Sequence, residues 1–192
     1  MIDTLKEISI YEAILARKSI RQYTTQQVDA KRIRSLLEAA VMAPTVLPNE
    51  SCAFVIVQDM HGLKAISEMT KSMLISQLAQ NNQTLEALHQ PAFNVFYEAH
   101  TLILICVNKD HLSSIANCWL AAENIMLAAC AMDLGSCIID TALVALNSKE
   151  GKLMLGIDEA FIAVAPIVVG FPSEKEAFGK RKKPLILNWI KA

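Results

Sequence analysis

Residues 17–21 read Arg-Lys-Ser-Ile-Arg, which gathers two guanidinium groups, an ammonium and a hydroxyl within one short stretch. Arginine offers a forked set of donors that matches phosphate oxygens, and a serine hydroxyl adds a short neutral donor. The stretch therefore has the chemistry of an anion cradle. It equally fits a solvated basic loop at the end of a helix, where cations complement the carbonyl end of the helix dipole. These residues alone leave both readings open. A second basic knot, Lys180, Arg181, Lys182 and Lys183 before Pro184, lies near the C-terminus. The net charge is only −1, so no general field draws nucleic acid or an anionic membrane, and each cluster has to act locally.

The remaining reactive side chains are less suggestive. Cys52, Cys106, Cys118, Cys130 and Cys137 are odd in number, sit in apolar contexts and form no C-x-x-C pair, while the four histidines are isolated. Neither a metal site nor a disulfide framework is expected, and buried reduced thiols point to the cytoplasm. The N-terminus lacks the basic start and continuous apolar run of a signal peptide.

The elements that must position the basic residues can be read from periodicity. Ser9 and Glu12 have the spacing of a capping box and open a short helix that ends near Arg17. Ile33, Leu36, Leu37, Ala40 and Val41 repeat at helical spacing, and Pro44 marks the stop. "AFVIV" (53–57), "TLILICV" (101–107), "SCIID" (136–140) and "FIAVAPIVVG" (161–170) read as strands. Leu63 and Ile66 mark another short helix, and the polar stretch 70–90 reads as an excursion or lid. Residues 114–132 are apolar nearly all round, as a central helix must be, with Gly135 at a plausible stop. Met42, Met126 and Met132 fall at core spacing, Trp119 at the core or an interface, and Cys137 in an inert apolar strand.

With 53% hydrophobic and 19% charged residues, the chain is a folded domain and not a disordered one. Its mean hydropathy of +0.34 is high. The longest apolar runs are strand-sized, so no membrane span is expected, and the excess is assigned to a large subunit interface. At 192 residues, without an internal repeat or linker, one domain is expected, of α/β or α+β layering.

Taken in order, "RKSIRQY", "LLEAAVMAP", "FVIV", "FYEAHTLILI", "ANCWLAAENIMLAA", "LGSCIID", "AVAPIVVGFP" and "KRKKP" resemble the nitroreductase family of FMN-dependent oxidoreductases. The resemblance runs from about residue 11 to the C-terminus and is weakest over 70–90. It implies an α+β fold, a mainly antiparallel sheet flanked by helices, and an intertwined homodimer with FMN at the interface. Arg17 and Ser19 would bind the FMN phosphate, Lys18 would add a contact, and Arg21 would reach the pyrimidine edge. Lys180, Arg181 and Lys182 would close on the phosphate. Pro44, Thr45 and Asn49 would lie on the flavin loop. Ile138, Ile139 and Asp140 would run along the ring, with a backbone N–H toward its hydride-accepting nitrogen. No catalytic side chain and no metal are implied, because the cofactor carries the chemistry. NADH or NADPH would reduce FMN, and a small acceptor such as a nitroaromatic or quinone would then take the hydride, in a ping-pong sequence. The tail 173–192 would reach the partner through Leu185, Leu187, Trp189 or Ile190.

Several positions depart from the family pattern. The loop after Pro44 puts Pro48 where an asparagine is usual, Glu50 on glutamine, Ser51 on proline and Cys52 on tryptophan; Asn49 falls one residue late. His100 replaces a proline, and Thr141 stands where glycine is frequent. These changes keep two alternatives open: a family offshoot with oxygen-dependent or dehalogenating flavin chemistry, and a flavin-binding protein without turnover.

Overall fold

A computed structural model describes residues 8–45, 52–81, 85–173 and 183–191. Among them, helix α1 (Ile10–Ala16) starts at a full capping box: the Ser9 hydroxyl accepts from the Glu12 N–H at 3.1 Å, and the Ser9 N–H donates to the Glu12 carboxylate at 2.7 Å. Helix α2 (Ala30–Val41) is capped by the Asp29 carboxylate and buries Ile33, Leu36 and Ala40. Strand β1 (Ala53–Val57), helix α3 (Met60–Gln80), strand β2 (Leu102–Asn108), helix α4 (Ile115–Ala131) and strand β3 (Gly135–Ile138) follow. Two short helices, α5 (Leu143–Leu146) and α6 (Lys149–Leu155), lead into strand β4 (Phe161–Gly170).

The strands form one sheet in the order β1-β2-β4-β3, and every neighbouring pair is antiparallel. Strand β2 is buried on both faces from Leu102 to Val107, so its alternating side chains feed two cores. Ile103, Ile105 and Val107 pack with Ile33 and Leu36 of α2 and Ile125 of α4. Leu102 and Leu104 pack on the opposite side with Leu63 and Ile66 of α3, Phe96, and Leu146 of α5. The mixed helix and antiparallel-sheet architecture that the family resemblance implies is therefore the architecture present, with helices on both faces.

Three local expectations are corrected. The short helix around Leu63 and Ile66 is a helix of 21 residues. It continues through polar residues because they are satisfied within it: the buried Thr70 hydroxyl donates to the Ile66 carbonyl at 2.8 Å, and buried Lys71 pairs with Glu68 at 3.1 Å. Gly135 is not the helix stop. Asp133 takes the left-handed conformation there (φ 57), and Gly135 opens β3. Met42 is 80% exposed, because α2 ends at Val41 and Met42 is its C-cap residue. Met126, Met132 and Cys137 are buried as expected, and Trp119 lies on the surface.

The stretch Lys109–Ala131 has the length and apolarity of a membrane-spanning helix. Its inner face (Cys118, Ala121, Ala122, Ile125, Ala129) is buried in the protein's own core, which accounts for the apolarity of that face.

Candidate functional site

The basic stretch 17–21 is an added edge to the sheet. After α1 ends, the Arg17 N–H closes the helix on the Ala13 carbonyl at 2.9 Å. The chain then turns extended, and Ser19 forms a parallel bridge with Ser136 of β3, through an Ile20 N–H to Ser136 carbonyl bond of 2.9 Å. Farther along, the Thr24 N–H donates to the Phe171 carbonyl at 2.8 Å, and Tyr23 bridges Pro172. The Tyr23 hydroxyl folds back onto the Ile20 carbonyl at 2.6 Å. Residues 17–24 thus form a strap held against the sheet by backbone bonds.

Two glycines make room for it. A methyl group on Gly135 would lie 2.8 Å from the Ile20 side chain, and one on Gly170 would lie 2.8 Å from the Tyr23 ring. Ile20 is itself buried, so it has nowhere to retreat. The strap lies directly on a floor of two glycine backbones.

The strap's cations are separately anchored. Arg17 is half-buried, and its Nε stands 3.1 Å from an Oε1 of Glu123 on α4. That pair is partly exposed and contributes at most about 1 kcal/mol to stability. Its effect is orientation: it holds the guanidinium between α1 and α4. The Arg21 guanidinium lies over the Tyr97 ring, 5.8 Å from its centroid. Tyr97 and Glu98 are consecutive left-handed residues (φ 54 and 55), a conformation costing about 1–2 kcal/mol per residue. The surrounding turn imposes it: the Tyr97 N–H donates to the Asn94 carbonyl at 3.0 Å, and the Val95 N–H donates to the Ser67 hydroxyl at 3.1 Å.

Among the predicted residues, the parallel bridge brings two separate sets together. Arg17, Lys18, Ser19 and Arg21 run alongside β3 in the same direction as the chain that continues into Ile138, Ile139 and Asp140. The Ile139 N–H is committed to the Pro166 carbonyl at 2.9 Å, and the Asp140 carboxylate accepts from the Thr141 N–H at 2.9 Å. Pro44 and Thr45 lie apart from this pairing, exposed beyond the end of α2. Asn49, Lys180, Arg181 and Lys182 fall outside the described residues, as do Pro48, Glu50 and Ser51. Sequence reading passed over Glu123 and Tyr97. The Tyr97 segment sits within the "FYEAH" motif, which was a usable signal; nothing in the spacing of Glu123 distinguishes it from a solvated helix residue. Among the described residues, no group of three or more His, Cys, Asp or Glu side chains is placed to hold a metal.

Known proteins share this arrangement of elements. The sequence model of the Nitroreductase family matches residues 14–171, so the chain belongs to that family. A curated protein of Archaeoglobus fulgidus, named "Putative NADH dehydrogenase/NAD(P)H nitroreductase", is 26% identical over 171 residues, 86% of this chain and 86% of that protein. A nitroreductase with bound FMN from Bacteroides fragilis superposes with a TM-score of 0.83 at 23% identity, covering 96% of this chain and all of the other. An FMN-dependent nitroreductase of Clostridium difficile gives 0.75 at 24% identity, covering 95% of this chain and all of the other. At these identities the two structures establish the shared fold.

Proposed function

We propose that this chain is an FMN-dependent oxidoreductase that takes reducing equivalents from NADH or NADPH and delivers them to a small acceptor, a nitroaromatic or quinone, in two alternating half-reactions at one site. Family membership supports the class, and the printed names of its relatives support FMN and a nicotinamide reductant. The observation that carries the reading for this chain is the Ser19–Ser136 bridge. It sets the basic stretch 17–21 beside the strand that leads to Ile138–Asp140, so one elongated anionic ligand would meet both.

The donor set fits FMN. Arg17 pairs the Glu123 carboxylate through Nε, and a guanidinium is a forked, always-charged donor whose geometry matches phosphate oxygens. Arg17, Lys18 and Ser19 would hold the phosphate, with Lys180, Arg181 and Lys182 as further cations. Arg21, oriented by Tyr97, would set positive charge at the pyrimidine edge. Ile138, Ile139 and Asp140 would supply the backbone along the ring, and Pro44, Thr45 and Asn49 the flanking loop. Bound there, FMN supplies hydride transfer, and the chain contributes binding, orientation and charge. This assignment names no catalytic side chain.

The homodimer belongs to the same proposal. Tyr11, Ile14 and Leu15 on α1, and Leu112, Ile115, Trp119 and Leu120 at and before α4, are exposed apolar residues on elements that pack together. Leu185, Leu187, Trp189 and Ile190 are exposed as well. A second copy covering them, with FMN at the interface, accounts for both sets. A cytoplasmic setting suits five cysteines that form no disulfide.

The test is the visible spectrum of the purified protein, followed without oxygen on separate addition of NADH and NADPH. A flavin band that bleaches with either nicotinamide is the expected result. No flavin band, even after incubation with FMN, would overturn the cofactor; a band that neither nicotinamide bleaches would overturn the reductant. Light scattering behind a sizing column reads the dimer.

A further inference from the structure

Cys52 and Cys118 are 66 positions apart in the chain, yet their sulfurs stand 3.4 Å from one another. Cys52 is half-buried immediately before β1, and Cys118 is fully buried early in α4. The Cys118 Sγ also lies 3.9 Å from the carbonyl of Cys106, a buried residue of β2 paired with Ala53. Of these three thiols, Cys52 alone is partly accessible to solvent. The others are held protonated. Burial pushes Cys106 up to about 11. Cys118 is pushed up by the hydrogen bond it shares with Cys52 and then by burial, while that same bond holds Cys52 below the ordinary thiol range against its own partial burial. One sulfur is thus partly accessible and favoured as thiolate over its neighbour, a sheltered thiol 3.4 Å away. That is the division of labour between an attacking and a resolving cysteine.

We propose that Cys52 and Cys118 are a redox-active pair, oxidised by peroxide to a disulfide that ties the start of β1 to α4. In the first step the Cys52 sulfur attacks one peroxide oxygen; the O–O bond breaks, hydroxide leaves and takes up a proton as water, and Cys52 becomes a sulfenic acid. In the second, the Cys118 sulfur attacks the Cys52 sulfur; the S–O bond breaks, and the oxygen leaves as water with the proton given up by Cys118. Two thiols lose two electrons and two protons, and one peroxide becomes two waters. The sulfurs have to close from 3.4 Å to the roughly 2.05 Å of a disulfide, an approach with no other atom between them. A thiol reductant reverses it. The proposal stands whether or not the chain binds FMN, because no residue of the strap takes part.

The test treats the purified full-length protein with hydrogen peroxide, blocks remaining thiols with iodoacetamide under denaturing conditions, and maps peptides without reduction. The expected product is a linked Cys52–Cys118 peptide with the mass loss of two hydrogens, abolished by dithiothreitol. The link is expected to persist in Cys106→Ala and to vanish in Cys52→Ser and in Cys118→Ala, with the other thiols still alkylated. Recovery of Cys118 fully alkylated after oxidation, with Cys52 as a sulfinic acid or unmodified, would overturn the proposal. So would a link from Cys106 to either partner.

Discussion

The two edges of the sheet carry different chemistry on the same kind of scaffold. At the β3 edge, the strap 17–24 is bonded to the sheet through its backbone and lies on Gly135 and Gly170, with its charged side chains turned to other tasks. At the β1 edge, the reactive atoms are two sulfurs packed into an apolar core and sharing one hydrogen bond. Between the edges, the buried positions of β2 and β4 are mostly Ile, Leu, Val and Ala. Saturating the middle of a sheet confines its chemistry to the margins. Position there can be set by hydrogen bonds, which tolerate charged neighbours, or by close packing, which does not.

The comparison can be broken at the β3 edge first. Removing both phosphate-directed groups in Arg17→Ala/Ser19→Ala should weaken FMN binding by at least about a hundredfold, since charge-assisted bonds contribute roughly 1.5–3 kcal/mol each. Fluorescence titration reads the affinity, and unchanged affinity would sink the phosphate assignment. Gly135→Ala comes next. Its methyl would press on Ile20, and overpacking of this kind costs about 1–3 kcal/mol, read as a lower denaturant midpoint. FMN affinity should fall with it, because the strap itself is displaced. At the opposite edge, Cys52→Ser should leave that affinity where it was.

A smaller effect is expected from Tyr97→Leu, which removes the ring beneath Arg21 and about 0.5–1 kcal/mol of attraction. FMN should then bind a few-fold more weakly, with little change in the unfolding midpoint. The smallest effect sharpens the β1 edge. A lowered Cys52 pKa means that its thiolate persists to lower pH, so alkylation by iodoacetamide should decline only as pH falls through that lowered value. In Cys118→Ala the shared hydrogen bond is gone, and the inflection should move upward. An inflection at the same pH in both proteins would show that Cys118 does not influence Cys52.

Much of this was legible in the residues. "AFVIV" and "FIAVAPIVVG" are the strands observed, to the residue, each a continuous apolar run of strand length rich in β-branched residues. The length of α3 was not legible, since Thr70 and Lys71 look like the start of a polar excursion until their partners inside the helix are seen. The strap's composition announced anion chemistry, but its place did not follow from composition. A backbone bridge to Ser136 carries no side-chain signature, and the glycine that permits it reads equally well as a helix stop. The thiol pair was invisible for the same reason. Five cysteines in apolar contexts look alike until the fold selects two of them.

The Ser19–Ser136 bridge also bears on when the site comes into being. It joins segments separated by on the order of a hundred residues, so it closes one of the longest loops in the chain, and such contacts form late because their entropic cost precedes their reward. Early folding intermediates with only neighbouring helices and hairpins in place would have the basic residues without the strand that aligns them. On the proposed assignment, cofactor binding waits on that closure, and a nascent chain still on the ribosome, before residue 136 has emerged, would lack the strand that aligns the strap.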